Sequence, residues 1–242
     1  MSNRSEKVSV AMATYNGEKY IHTQIETILN NLHENDELVI SDDGSKDKTR
    51  EIIESFNDKR IKLIEGPKKG LKQNFNNAIK NTTGDYIFLS DQDDYWMPDK
   101  VEKVLNAFKS NDNYILIQHD AIVIDENENI IYDSFAEHRK VKTGIIKNLI
   151  KNSYHGCCIA FKKELKEKIL PIPDNIYLHD QWIGMIAEVE GKTDFIDDKL
   201  IKYRRHSENN SSFKHLPFKE MLKNRINYLK VLINYLMEKN KW

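Results

Sequence analysis

Asp91, Asp93 and Asp94 place three carboxylates within four positions, at the end of Gly84-Asp85-Tyr86-Ile87-Phe88-Leu89-Ser90. The apolar run reads as a buried strand opened by a glycine, and Pro98 restarts the chain as a helix. The aspartates therefore fall at a strand's carboxyl end. In an open α/β sheet ligands bind there, because crossover helices cover both faces and leave the strand ends accessible. Carboxylates this close repel one another unless a divalent cation or basic groups neutralise them, and an oxygen-rich set suits Mg²⁺ or Mn²⁺. Standing alone, the cluster would also fit a solvated acidic loop.

Other polar groups recur at similar places. Leu38-Val39-Ile40 predicts a short strand running into Ser41-Asp42-Asp43-Gly44-Ser45. There Gly44 permits a sharp turn and Ser45 can cap the helix through Thr49, Ile52, Ile53 and Phe56. Val8 to Tyr15 predicts the first strand, broken by Asn16-Gly17. His179-Asp180 precedes Trp182 and an apolar helical run from Ile183 to Val189. A carboxylate at that helix start is also favoured simply as a cap. Arg204, Arg205 and His206 open a polar loop to Ser212 that offers donors and a metal ligand. No Gly-x-Gly-x-x-Gly follows the first strand and no Gly-Lys-Ser/Thr loop occurs, which argues against dinucleotide and P-loop sites.

The positioning elements follow from periodicity. Ile21, Ile25, Ile28, Leu29 and Leu32 recur at helical spacing, Arg60 to Glu65 predicts a third strand, and a helix holding Phe75, Ala78 and Ile79 follows a basic turn at Gly66 to Gly70. With a helix over Lys100 to Ser110, strands and helices alternate as in a mostly parallel, doubly wound α/β sheet. Beyond it, Tyr114 to His119, Ala121 to Asp125, Tyr154 to Phe161, Phe195 to Asp197 and Leu200 to Tyr203 predict strands of a less regular, more antiparallel half. The tail from Phe218 to Trp242 carries Met221, Leu222, Ile226, Leu229, Ile233 and Leu236 on one stripe among many lysines. It packs on its own domain, dimerises, or lies on an anionic membrane.

Composition bounds the rest. The 242 residues suffice for one α/β domain, and 37 Lys+Arg against 38 Asp+Glu leave a net charge of -1, which argues against nucleic acid as the partner. No stretch is long and apolar enough to span a bilayer, and Met1 to Lys7 lacks a signal peptide's apolar core, so a cytoplasmic location is expected. Adjacent Cys157 and Cys158 are read as free thiols in a reducing compartment.

Four segments in order, Val10 to Gly17, Asp42-Asp43-Gly44-Ser45, Gly84 to Asp94, and His179-Asp180 before Trp182, resemble a family 2 glycosyltransferase of GT-A fold. The resemblance spans residues 8 to 212, and within the family it is nearest the bacterial branch that builds cell-surface polysaccharides, including rhamnosyl- and galactosyltransferase-like members. It implies a domain over 1–215, with a nucleotide-sugar half at 8–112 and an acceptor half at 113–215, followed by a C-terminal amphipathic helix at 216–242. Thr14, Tyr15 and Asn16 would line the base and ribose pocket, and Asp43, in preference to Asp42, would accept from a pyrimidine N3–H. Lys69 or Lys72 would approach the base or diphosphate. Asp91-Gln92-Asp93 fits the Asp-x-Asp motif. Asp93 would be the ligand to Mn²⁺ or Mg²⁺, with Asp91 near the ribose or metal, His206 completing the site, and Arg204 and Arg205 on phosphate oxygens. Asp180 would be the general base of an inverting displacement; Asp94 would order the loop or touch the sugar or acceptor, Trp182 would offer a platform to a sugar face or lie in the core, and the loop at Gly156 would meet the sugar or acceptor.

The expected partners are a uridine or thymidine diphosphate sugar and a lipid-linked saccharide at the inner face of the membrane. Many relatives have Glu-Asp where this chain has His179-Asp180, so the base assignment rests on the aspartate and Trp182. The Gln-x-x-Arg-Trp signature of processive synthases is absent, which favours one sugar per encounter. A sugar nucleotidyltransferase would need a glycine-rich basic loop where Tyr15-Asn16-Gly17 stands, and an inactive glycan-binding scaffold would bind nucleotide without turnover.

Overall fold

A computed structural model describes residues 4–141, 144–207, 209 and 217–239. The boundary expected between residues 215 and 216, much of the polar loop beyond Ser207, and Lys241 lie outside the described residues. The first half alternates as its periodicity predicts. Strands β1 (Val8–Thr14), β2 (Glu37–Asp42), β3 (Ile61–Glu65) and β4 (Tyr86–Ser90) are separated by helices α1 (Ile21–Leu29), α2 (Thr49–Ser55) and α3 (Leu71–Lys80). All seven residues of β1 are buried, as a parallel strand covered on both faces requires.

The second half comprises β5 (Tyr95–Trp96), α4 (Lys100–Lys109), β6 (Tyr114–Ile124), β7 (Ile130–Tyr132), α5 (Phe135–Arg139) and α6 (Ile145–Ile150). A 3₁₀ turn at Gly156–Cys158 leads into β8 (Ile159–Lys162), α7 (Lys163–Ile169), α8 (His179–Glu190), β9 (Lys192–Arg204) and α9 (Phe218–Lys239). The strands form one sheet in the order β3-β2-β1-β4-β8-β6-β9-β5, with β7 paired to β6. The four strands of the first half are mutually parallel, β8 is antiparallel to both β4 and β6, and β9 runs parallel to β6.

Two expected pairs of strands are single ones. The polar Gln118-His119-Asp120 stays inside β6 because all three are buried and bonded there. Gln118 donates to Ser153 O, His119 Nδ1 meets its neighbour's carbonyl, and Asp120 accepts from Ser134 and from the Ala121 and Ala136 amides. Likewise Asp197-Asp198 interrupts the apolar pattern but not β9, which continues past it with a register irregularity against β6. Gly156 to Cys158 forms the 3₁₀ turn and not the start of a strand.

The core lies on both faces of the sheet. Val8, Val10 and Met12 of β1 pack with α1, Ile53 of α2, and Val101, Val104 and Phe108 of α4. Ala11 and Ala13 face the other way, toward Phe75 of α3, Leu165 of α7, Ile183 and Ile186 of α8, and Tyr228 and Leu232 of α9. The chain proceeds from β1 outward to β3, then crosses back to place β4 on the other side of β1. The carboxyl ends of β1 and β4 thus flank the point where strand order reverses, the place such sheets leave open to ligands.

Candidate active site

A cavity of about 1020 Å³ opens over the ends of β1 and β4. Its floor is built by Gln92, the middle residue of the acidic motif. Gln92 Oε1 accepts from Thr14 Oγ1 at 2.6 Å and from the Tyr15 amide at 2.9 Å, while its Nε2 donates to Tyr15 O. These bonds tie the two strand ends together, and Tyr15 is left 52% exposed at the cavity wall. Asn16 takes positive φ (49°), which turns the chain away from the strand, and its side chain accepts from the Lys46 amide.

The adjacent aspartates at the end of β2 divide. Asp42 is fully buried and off the cavity, accepting from the Gly44 and Ser45 amides, the Ser45 hydroxyl and Arg50. Ser45 is therefore engaged with Asp42, and α2 has no side-chain cap, contrary to the cap expected of that serine. Asp43 faces the cavity, its two oxygens holding the Lys68 and Gly70 amides at 2.6 and 2.8 Å. Each oxygen keeps a lone-pair direction in a carboxylate fixed by backbone.

Asp91 and Asp93 line the cavity and Asp94 lies beneath it. Asp94 Oδ1 accepts from the Arg204 amide at 3.0 Å, and Asp91, Asp94 and Cys157 bring one ligand atom each within 4.8 Å of one another. Burial raises the Asp91 carboxyl to about 7, helped by the charges of Asp93 and Asp180, and pushes Asp94 well above the usual carboxylate range. Below them is an ammonium that composition could not reveal. Lys100, 1% exposed, donates to Cys157 O at 3.0 Å and lies 3.8 Å from the Trp96 ring centroid. Desolvation lowers it to about 8 against the opposing pull of the acidic pair.

His206 Nε2 stands 2.8 Å from Asp93 Oδ2, and Asn209 Nδ2 lies 3.2 Å from each of those atoms. The buried Arg204 braces this corner by donating to Asp93 O and Glu128, while of the two neighbours it is Arg205 that lines the cavity. The paired carboxylate and imidazole of Asp93 and His206, with Asp91 on the same open cavity but gathered with Asp94 and Cys157, are oxygen and nitrogen donors of the kind that suit a hard divalent cation such as Mn²⁺ or Mg²⁺.

Across the cavity stands Asp180, in the first turn of α8. Its Oδ1 accepts from the Gln181 amide at 2.6 Å and Asn152 Nδ2 at 3.0 Å. Burial raises it to about 6 and these bonds limit the rise. Gly156 lines the cavity beside it, where a Cβ would stand 3.1 Å from His179 Nε2. His179 is kept neutral by burial and stacks on Phe75 at 4.2 Å.

Asp42, Asp94 and Arg204, expected on the nucleotide, the sugar and the phosphates, are buried off the cavity because each is engaged with neighbouring backbone, and two more expected contacts also lie elsewhere. Lys72 donates to Asp174 O and Ile176 O, joining α3 to the segment before α8, and it is Lys68 that reaches the cavity. Trp182 is 4% exposed, donates to Ile169 O and meets Tyr235 edge-on, so it is core and offers no platform to a sugar. Gln92, Lys100, Asn152 and Asn209 were not foreseen. Gln92, inside the acidic motif, and Asn209, three residues after His206, had a positional signal.

The arrangement defines an α/β protein in which the sheet's strand ends open on one cavity, with Asp93 and His206 on one side and the buried Asp180 on the other. The chain belongs to glycosyltransferase family 2, whose family model matches residues 9–170. It is 34% identical over 209 residues to an uncharacterized glycosyltransferase of Methanocaldococcus jannaschii, covering 81% of this chain and 70% of that one. It is 32% identical over 151 residues to the Escherichia coli UDP-Glc:alpha-D-GlcNAc-diphosphoundecaprenol beta-1,3-glucosyltransferase WfgD, covering 62% and 57%. Its fold is similar to S. aureus TarS 1-349 in complex with UDP-GlcNAc, at TM-score 0.72 and 18% identity over 92% of this chain and 66% of that one. A mannosyltransferase of Pyrobaculum calidifontis in complex with GDP-Man and Mn²⁺ matches at TM-score 0.62 and 18% identity, covering 98% and 65%. The chain spans about two thirds of the length of several curated relatives it matches.

Proposed function

We propose that the protein transfers one sugar from a uridine or thymidine diphosphate sugar to a hydroxyl of a lipid-linked saccharide, with inversion, in the assembly of a cell-surface polysaccharide. The observation that carries this reading is the shared cavity. Asp93 and His206 on one side and Asp180 on the other open on the same space, whose volume matches the range that holds ligands of this size.

Asp43 accepts from the base N3–H, and Tyr15 stacks on the base. Asp93 and His206, with Asp91, would hold a divalent cation, which would supply positive charge against the departing diphosphate. Arg205 supplies a further cation to the phosphate oxygens. Asp180 takes the proton of the acceptor hydroxyl as that oxygen bonds to the anomeric carbon, and the nucleoside diphosphate leaves from the opposite face. A base with pKa of about 6 is mostly ionised at neutral pH yet still basic enough to draw a proton. The lipid-linked acceptor is supported by the E. coli relative, whose acceptor sugar is carried on diphosphoundecaprenol.

The test is release of nucleoside diphosphate from a panel of UDP- and dTDP-hexoses with Mn²⁺ and diphosphate-lipid-linked N-acetylglucosamine, with the product's anomeric configuration read by NMR. An α-linked donor should yield a β-linked product. A product of retained configuration would overturn the inverting mechanism, and release from no donor would overturn the transferase reading.

A further inference from the structure

Arg139 projects from the end of α5 to line the cavity on the same side as Asp180, and it is half-buried. Among the described residues its guanidinium makes no hydrogen bond or ion pair, whereas Arg4, Arg50, Arg60 and Arg204 all pair with carboxylates. A cation left unpaired at a cavity wall is arranged for an anion that arrives from outside.

Two more cations stand beside it. Lys140 follows directly, in left-handed backbone conformation (φ 54°), and Lys151 Nζ donates to Arg139 O at 2.7 Å. Burial lowers the Lys151 ammonium, and the charges of Arg139 and Lys140 lower it further, so the three share one region of potential. The same Arg139 charge is felt at Asp180 and at His155, both on the cavity. The donor diphosphate already has its own cationic corner across the cavity, at Arg205 and the metal-competent pair of Asp93 and His206.

Next to the three cations, α6 turns Ile146 (76% exposed) and Ile150 (59% exposed) to solvent. Arg225 of α9 donates to Ile150 O, which sets the exposed Leu222, Ile226 and Leu229 of α9 beside them. An anion site bordered by apolar side chains fits a phosphate headgroup joined to a hydrocarbon chain.

We propose that Arg139, with Lys140 and Lys151, is the subsite for the diphosphate of a lipid-diphosphate-linked acceptor, whose hydrocarbon runs out over Ile146 and Ile150. This rests on the transferase reading and deepens it. A hydroxyl held at Asp180 belongs to a sugar whose anomeric diphosphate lies one ring further out, on the side of the cavity where Arg139 stands. The subsite gives the protein a means to reject free saccharides, since a neutral acceptor would leave the guanidinium unpaired.

Binding of two synthetic probes tests this on the full chain with UDP and Mn²⁺ present. One is N-acetylglucosaminyl diphosphate carrying an undecyl tail, and the other is undecyl N-acetylglucosaminide without the diphosphate. The native chain should bind the first at least about tenfold tighter, the scale of one charge-assisted pair. Arg139→Gln and the pair Arg139→Gln with Lys151→Gln should erase most of that preference, and Arg139→Lys should restore part of it, while UDP affinity stays unchanged. Equal binding of both probes by the native chain, or a preference that survives in the double variant, would overturn the subsite. Loss of UDP affinity in a folded Arg139→Gln variant would overturn it too, by placing the arginine on the donor. Failure of the transferase reading shows separately, as a native chain that binds no nucleoside diphosphate.

Discussion

Replacing Asp180 by asparagine keeps the side chain's shape and removes only its capacity to take a proton. The asparagine carbonyl can still accept from the Gln181 amide and Asn152 Nδ2, the two bonds that now hold Oδ1 at 2.6 and 3.0 Å. A positioned general base contributes about 10²–10⁴-fold to a rate, so kcat should fall by that factor, equivalent to about 3–5 kcal/mol of barrier. Stability should move the other way. Burial raises the Asp180 carboxyl from 3.8 to about 6, so in the folded state its ionised form is disfavoured. That cost, on the order of 3 kcal/mol by linkage, is fully present above pH 6 and disappears as pH falls through the unfolded value near 4. A neutral amide does not carry it, so the Tm of Asp180→Asn at pH 7.5 should be no lower than native. For the native protein, kcat/KM should lose about tenfold for each pH unit below 6, as the base is protonated. Nucleoside diphosphate release followed from pH 5 to 8, with Tm measured on the same samples, reads all three quantities. Activity within threefold of native in Asp180→Asn, or a rate loss matched by a lowered Tm, would refute the assignment.

Three further perturbations separate the site from its supports. Lys100→Met removes the buried ammonium that donates to Cys157 O, and leaving that carbonyl without its donor costs about 1–3 kcal/mol. Its Tm should drop by about 2–12 °C on the scale for a chain of this size; a change under about 1 °C would show that the turn at Cys157 does not depend on that ammonium. Tyr228→Phe deletes a hydroxyl that both donates to Leu178 O and accepts from the Leu178 amide, each at 2.7 Å. A loss of about 1–3 kcal/mol should appear as a lowered Tm together with reduced kcat, because Leu178 immediately precedes His179 and Asp180; unchanged kcat would mean that α9 does not position the base. Gly184→Ala would bring a Cβ to 2.0 Å from the Tyr154 ring, and overpacking of about 1–3 kcal/mol should lower Tm, with an unshifted Tm showing that Tyr154 moves freely.

The first half of the fold was legible because each of its strands is a short apolar run closed by a turn, the pattern that a parallel sheet covered on both faces imposes. The polar ends of β1, β2 and β4 were legible for the same reason, since each carboxylate follows a strand directly. Long β6 and β9 were not, because Gln118, His119 and Asp120 look like a loop until their partners at Ser134, Ser153 and Ala136 are brought alongside. The separate roles of Asp42 and Asp43 depend on which way each side chain points, and a one-residue step along a strand reverses that. Trp182 followed an aspartate that faces the cavity, but two positions on, a helix has turned it into the core. Lys100 and Asn152 gave no signal because their positions acquire meaning only where α4 and the 3₁₀ turn meet, and where the α6 loop meets α8.

The central claim is a nucleoside diphosphate site whose cation is held by Asp93 and His206. The measurement that tests it most directly is thermal shift with a panel of nucleoside diphosphates, with and without Mn²⁺, for the native chain and for Asp93→Ala. Uridine or thymidine diphosphate should raise the native Tm only when Mn²⁺ is present, and Asp93→Ala should abolish the shift while remaining folded. A shift of equal size in Asp93→Ala, or none with any nucleotide in the native chain, would contradict it.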